Sequence, residues 1–185
     1  MADSLTSVVK ASISGSYQDT VGTAETVAVE FALNLSNSLA DGTSASQADK
    51  VWFANNRTLT GTTPEDLDLF DLAAFDIGPG AGKGPLGGTY ANVELVALLI
   101  RNDTTSTGNI VIGGKNAGTA FNSFLAVAGV ADDTAQVGPI HPGGWFMIHS
   151  PANPAYAIAD TTNHLLTITP TANATYDIYM LTRSA

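Results

Sequence analysis

The stretch ETVAVEFALNLS, residues 25–36, places Val27, Val29, Phe31, Leu33 and Leu35 at every second position, with Ala28, Glu30, Ala32 and Asn34 between them. Side chains alternate across a strand but wind around a helix, so only an extended backbone gathers those five apolar groups on one side. The segment predicts a strand with one face buried and one face in solvent.

The same pattern of short apolar runs fills the second half of the chain. ANVELVALLIR (91–101), NIVI (109–112), GWFMIH (144–149) and TYDIYML (175–181) are rich in branched and aromatic residues, the types that fit a pleated surface. Turn-forming clusters separate them: NDTTSTG (102–108), GGKN (113–116), ADDT (131–134), HPGG (141–144), PANP (151–154) and PTAN (170–173). Turns at this spacing, without sustained helical periodicity, predict an all-β sandwich or barrel.

The first half is less regular. Residues 5–16 alternate weakly through Val9, Ala11 and Ile13, which suits an edge strand or an extended arm. Residues 36–48 form a polar loop around the Asp41-Gly42 turn signal, and KVWFA (50–54) is a further strand candidate. PEDLDLFDL (64–72) alternates acid and hydrophobe as an exposed strand edge does, and a short helix over 65–75, capped near Thr63, is the alternative. GPGAGKGPLGG (78–88) reads as a loop within one domain, because residues 1–77 supply too few strands for a separate core. The expected organisation is an arm or edge strand over 1–24 and a single sandwich domain over 25–185.

Composition narrows the function classes. The chain has 185 residues, enough for one core. It is 44% hydrophobic and only 13% charged, so Ser, Thr, Asn, Gly and Ala must cover much of the surface. Such a surface can be buried against a partner with few charges to desolvate. Seventeen acids against seven scattered bases give a net charge of −10. No basic patch can be assembled locally to displace counterions, which disfavours direct nucleic-acid binding and anionic membranes. No cysteine is present, which removes disulfides, thiolate metal sites and Cys nucleophiles. No apolar run is long enough to span a bilayer as a helix and none has signal-peptide form, so a cytoplasmic site of synthesis is expected.

Candidate chemistry is sparse. Gly82, Gly84 and Gly87 satisfy GxGxxG, but Pro85 interrupts the motif and no crossover helix follows. Gly82-Lys83 also lacks the preceding Gly and the following Ser or Thr of a phosphate-binding P-loop. Glu65, Asp66, Asp68 and Asp71 carry enough carboxylate oxygen for a cation such as Ca²⁺, yet their spacing matches no EF-hand, and a solvated acidic edge is the simpler account. His141, His149 and His164 form neither an HExxH pair nor part of a GxSxG triad. Trp52, Phe53, Trp145, Phe146, Tyr156, Tyr176 and Tyr179 include adjacent pairs that must point to opposite faces of a strand. At least one ring of each pair is therefore expected in the core, while exposed rings on a common face would suit a sugar. No catalytic, metal or cofactor site is assigned. A glycoside-hydrolase carboxyl pair is the residual enzymatic option among 17 acids.

One ordered series of segments is suggestive: DKVWFANNRTL (49–59), EDLDL (65–69), IRNDTTSTG (100–108), VIGG (111–114), PGGWFM (142–147), NHLLTI (163–168) and TYDIYML (175–181). Together, across about residues 25–182, they resemble a family of small structural proteins encoded by tailed bacteriophages. The resemblance implies a jelly-roll-like β-sandwich and a capsid decoration, or cement, role in the virion. Its partner would be the major capsid protein, and the assembly a homo-oligomer, with a trimer favoured. A receptor- or glycan-binding module of a tail or fibre is the alternative. No functional residue carries over, since none of these segments is catalytic in such a family.

Overall fold

The computed structural model describes residues 5–21, 25–70, 92–113, 119–121, 123, 124 and 135–184, with backbone alone at 17–21 and 25–29. Asp71, the Gly/Pro-rich loop 78–88, most of the 113–116 turn and the 131–134 turn lie outside the described residues.

The described chain forms eleven strands and no helix: β1 (Ser7–Val21), β2 (Glu25–Leu39), β3 (Lys50–Leu59), β4 (Glu65–Asp68), β5 (Glu94–Asn102), β6 (Ile110–Gly113), β7 (Gln136–Ile140), β8 (Trp145–His149), β9 (Tyr156–Ala157), β10 (Leu165–Pro170) and β11 (Ala174–Arg183). Every pairing between them is antiparallel. One sheet has the order β4-β10-β6-β7 and the other β3-β11-β5-β8, with β9 added to β5. The apolar runs read from the sequence are thus β5, β6, β8 and β11.

The two sheets share one core. Leu67, Leu166, Ile168, Ile110 and Ile112 come from the first, and Trp52, Leu98, Ile100, Tyr176, Ile178 and Met180 from the second, all within a single buried cluster. Each fully buried side chain of this size contributes about 1.5–3 kcal/mol of transfer free energy, so the contacts between sheets hold the architecture together as a β-sandwich. Adjacent aromatics divide as alternation demands. Trp52 is buried with its neighbour Phe53 turned to the opposite face, and Phe146 packs on the core while Trp145 stands in solvent. PEDLDLFDL supplies β4, an edge strand, and not a helix at 65–68.

The strand expected at 25–36 is present, but its apolar face is not buried. Phe31, Leu33 and Leu35 are 54%, 55% and 58% exposed. The reason is topological. β2 pairs only with β1, forming a separate two-stranded sheet whose residues 12–16 and 30–36 are exposed. The projecting unit is a ribbon made of both strands, paired from Ser7–Leu39 to Val21–Glu25.

Candidate functional site

The register of the ribbon sorts its residues into two unlike faces. Ser7 pairs with Leu39, Val9 with Asn37, Ala11 with Leu35, Ile13 with Leu33 and Gly15 with Phe31. Directly opposed residues share a face, so Val9, Ala11, Ile13, Leu35, Leu33 and Phe31 line one side. The intervening pairs, Lys10 with Ser36, Ser12 with Asn34, Ser14 with Ala32 and Ser16 with Glu30, line the other. The Phe31 ring crosses its partner strand at Gly15, where a Cβ would come within 2.7 Å of the ring's Cζ. Glycine there lets the ring lie flat over the ribbon.

The root of the ribbon is tied to the body. Leu39, Ala48 and Val96 form a small buried cluster against which Leu5, Val9 and Leu181 pack. Beyond that root the apolar face overhangs the outer side of the five-stranded sheet. A groove of about 350 Å³ there is lined by Val8, Val9, Leu99, Met147, Tyr179 and Leu181 among others. Phe53, Tyr179, Leu99 and Met147 stand in one cross-strand row of that outer side, through the pairs Phe53–Tyr179, Tyr179–Leu99 and Leu99–Met147. Phe53 and Tyr179 stack with centroids 5.9 Å apart, and the Tyr179 hydroxyl donates to Asn55 Oδ1 at 2.6 Å. Trp145, 58% exposed, lies on the same side opposite Arg101. Arg101 pairs with Asp177 at 2.8 Å.

The candidate chemical groups are engaged one by one rather than gathered. Tyr176 donates to Glu65 Oε2 at 2.7 Å, and Arg57 forms an ion pair with the same carboxylate. Thr167 donates to Asp66 at 2.6 Å, and Asp68 lies 3.0 Å from His164 Nδ1 and accepts from the Phe70 amide. The acids of β4 are therefore bound into the four-stranded sheet's edge, where the sequence alone suggested a solvated edge. His149 sits at the end of β8 with Nδ1 3.2 Å from the Val96 carbonyl, and His141 is exposed in the turn before β8. Among the described residues no group of three or more His, Asp or Glu could hold a metal ion.

Burial, followed by the nearby Glu65 carboxylate, pushes the Tyr176 phenol well above its ordinary value of 10.0. Because the folded value exceeds the unfolded one, this hydroxyl's contribution is fully present below about pH 10 and is lost progressively as pH rises from there towards the higher folded value. Urea midpoints of the native protein should fall more steeply above about pH 10 than those of Tyr176→Phe, which lacks the titrating group. Equal slopes would remove the assignment.

Arg183 escaped the sequence reading. It is 1% exposed and fixes the ribbon's root to the sandwich. Its Nη1 donates to Glu94 Oε2 at 2.7 Å, Nε to the Gln47 carbonyl at 3.0 Å and Nη2 to the Ala152 carbonyl. The only sequence signal was a cation ending a strongly apolar strand. Comparison with protein-family models, curated proteins and solved structures gave no match.

Proposed function

We propose that this chain is a non-enzymatic bacteriophage structural protein that binds the outside of an assembled capsid and stabilises it as a decoration, or cement, protein. One observation carries the reading: the sandwich bears a ribbon on one side of which Ile13, Phe31, Leu33 and Leu35 are each more than half exposed. A contiguous apolar surface of this kind marks an association site rather than a free surface. The ordered segments of the sequence supply the virion context, with the major capsid protein as partner and the host cytoplasm as the place of synthesis. The net charge of −10 would keep decorated particles apart by mutual repulsion.

The experiment is to mix purified protein with undecorated shells of its own phage. Stoichiometric addition and raised heat resistance of the shells are expected. Failure to bind any virion part would sink the proposal. A second reading, a glycan-binding module of a tail or fibre, is favoured by Trp145 and Tyr179, which are 58% and 41% exposed on one sheet face. β8 and β11 are two strands apart and Trp145 is offset by two residues from the row of Tyr179, so their backbones stand about 12 Å from each other. Saturable glycan binding lost in Trp145→Ala would favour that reading over the capsid.

A further inference from the structure

We infer that the free edge of β8, beneath the ribbon, accepts an extended segment of the capsid partner as an added strand of the sheet; this rests on the decoration reading above. β8 ends the five-stranded sheet. The Asn102 amide bonds to the Gly144 carbonyl and the Ser150 amide to the Val96 carbonyl, and the unbroken register between them puts Phe146 and Ile148 in the hydrogen-bonded pairs with β5. The amides and carbonyls of Trp145, Met147 and His149 therefore point away from the sheet, and no described strand pairs with them there. The sandwich's other three end strands are each blunted against strand addition. β4 carries Glu65, Asp66 and Asp68, β7 carries Pro139 and an irregular register, and β3 carries Lys50, Arg57 and a bulge opposite Asp177. β8, WFMIH, has no proline, no acid, no Lys or Arg and no bulge.

The ribbon decides what the added strand must look like. Val8 and Val9 line one groove with Leu181, Leu99 and Met147, and Val9, Ala11 and Leu35 line a second, of about 390 Å³, with Met147 and His149. The ribbon thus crosses the outer side of the sheet towards β8, and its residues 12–16 and 30–34 are exposed. A strand bonded to β8 would lie about 4.8 Å outside it, with alternate side chains rising into the groove under Ala11 and Leu35. Its opposite side chains would cover Phe146 and Ile148, which pack on the core but are only partly buried. Both sides of the slot are apolar, so the occupant is an extended segment with few charges: main-chain bonds give it affinity and the alternating pockets give it selectivity. The chain's net charge of −10 disfavours an acidic segment. The β8 of a second copy is a poorer occupant, because each β8 carries its own ribbon and joining two edges would set both ribbons over one seam.

The probe is a synthetic peptide of alternating valine and threonine with a lysine at each end, titrated into the isotope-labelled full chain and followed by amide resonances. Saturable shifts of the Trp145, Met147 and His149 amides are expected. Met147→Pro removes an outward N–H that β5 does not use, and proline is accepted at such edge positions. It should bind about tenfold more weakly, the cost of one lost main-chain hydrogen bond and the bulk of the ring, while Met147→Val should bind as the native chain does. Ala11→Lys/Leu35→Lys, which leaves β8 untouched, should weaken binding as well and serves if the proline variant does not fold. A peptide that shifts none of these amides, or binds Met147→Pro as tightly as native, would overturn the inference and leave the decoration role standing. Protection of these amides that rises with the concentration of the chain alone would also overturn it, since a second copy would then be the occupant. With undecorated shells, saturating peptide should displace the native chain, and shells that hold it undiminished would overturn the assignment to the capsid partner. A chain that takes the peptide at β8 but ignores every virion part overturns the decoration reading alone, with strand acceptance at β8 upheld.

Discussion

Arg183→Met is expected to lower the melting temperature by about 6–20 °C, the consequence of removing one partner from a buried ion pair at about 3–5 kcal/mol in a chain of this size. The guanidinium is 1% exposed and serves three acceptors on three segments: Glu94 in β5, Gln47 in the loop after the ribbon, and Ala152 in the loop after β8. Methionine fills most of the volume but donates nothing. It leaves Glu94, whose side chain is 15% exposed, with a carboxylate held among the described residues by the Ala155 amide at 3.3 Å, and it leaves two carbonyls without the guanidinium. Adding Glu94→Leu should restore only part of the loss, since replacing both charges removes the stranded carboxylate but not the stranded carbonyls. Differential scanning calorimetry decides the matter: a single variant melting within about 2 °C of native would show that the pair contributes little, as exposed pairs do.

That clamp also marks where sequence reasoning ends. Local periodicity is a property of neighbours, so the strands at 94–102, 145–149 and 174–183 were readable from alternation and turn residues. So was the division of Trp145 from Phe146. The contacts of Arg183 with Glu94 and of Tyr176 with Glu65 span 89 and 111 residues, and no short-range pattern encodes them. The reading of 25–36 failed in a more instructive way. Alternation correctly separated Phe31, Leu33 and Leu35 from Glu30, Ala32 and Asn34, but a period of two says only that a face wants cover. It does not say whether the cover comes from the same chain. Weak alternation at Val9, Ala11 and Ile13 held the missing half of the answer, because those residues pair with or lie beside Leu35 and Leu33 to complete the apolar side.

Hydrogen exchange should show the largest contrast in the molecule, between the ribbon and the sandwich. A two-stranded sheet standing alone is marginal in water, and beyond the root cluster of Leu39, Ala48 and Val96 residues 12–16 and 30–34 are all exposed. Their hydrogen-bonded amides should exchange within about 10–100-fold of the unfolded-chain rate, reflecting local opening at small free-energy cost. Amides of β5 and β11, buried between two neighbours each, open only with the whole domain and should be protected by about 10⁴-fold or more. Ribbon amides as protected as β5 in a monomeric sample would mean that the hairpin is rigid without cover, and the exposed face would then need an explanation other than an unfilled interface.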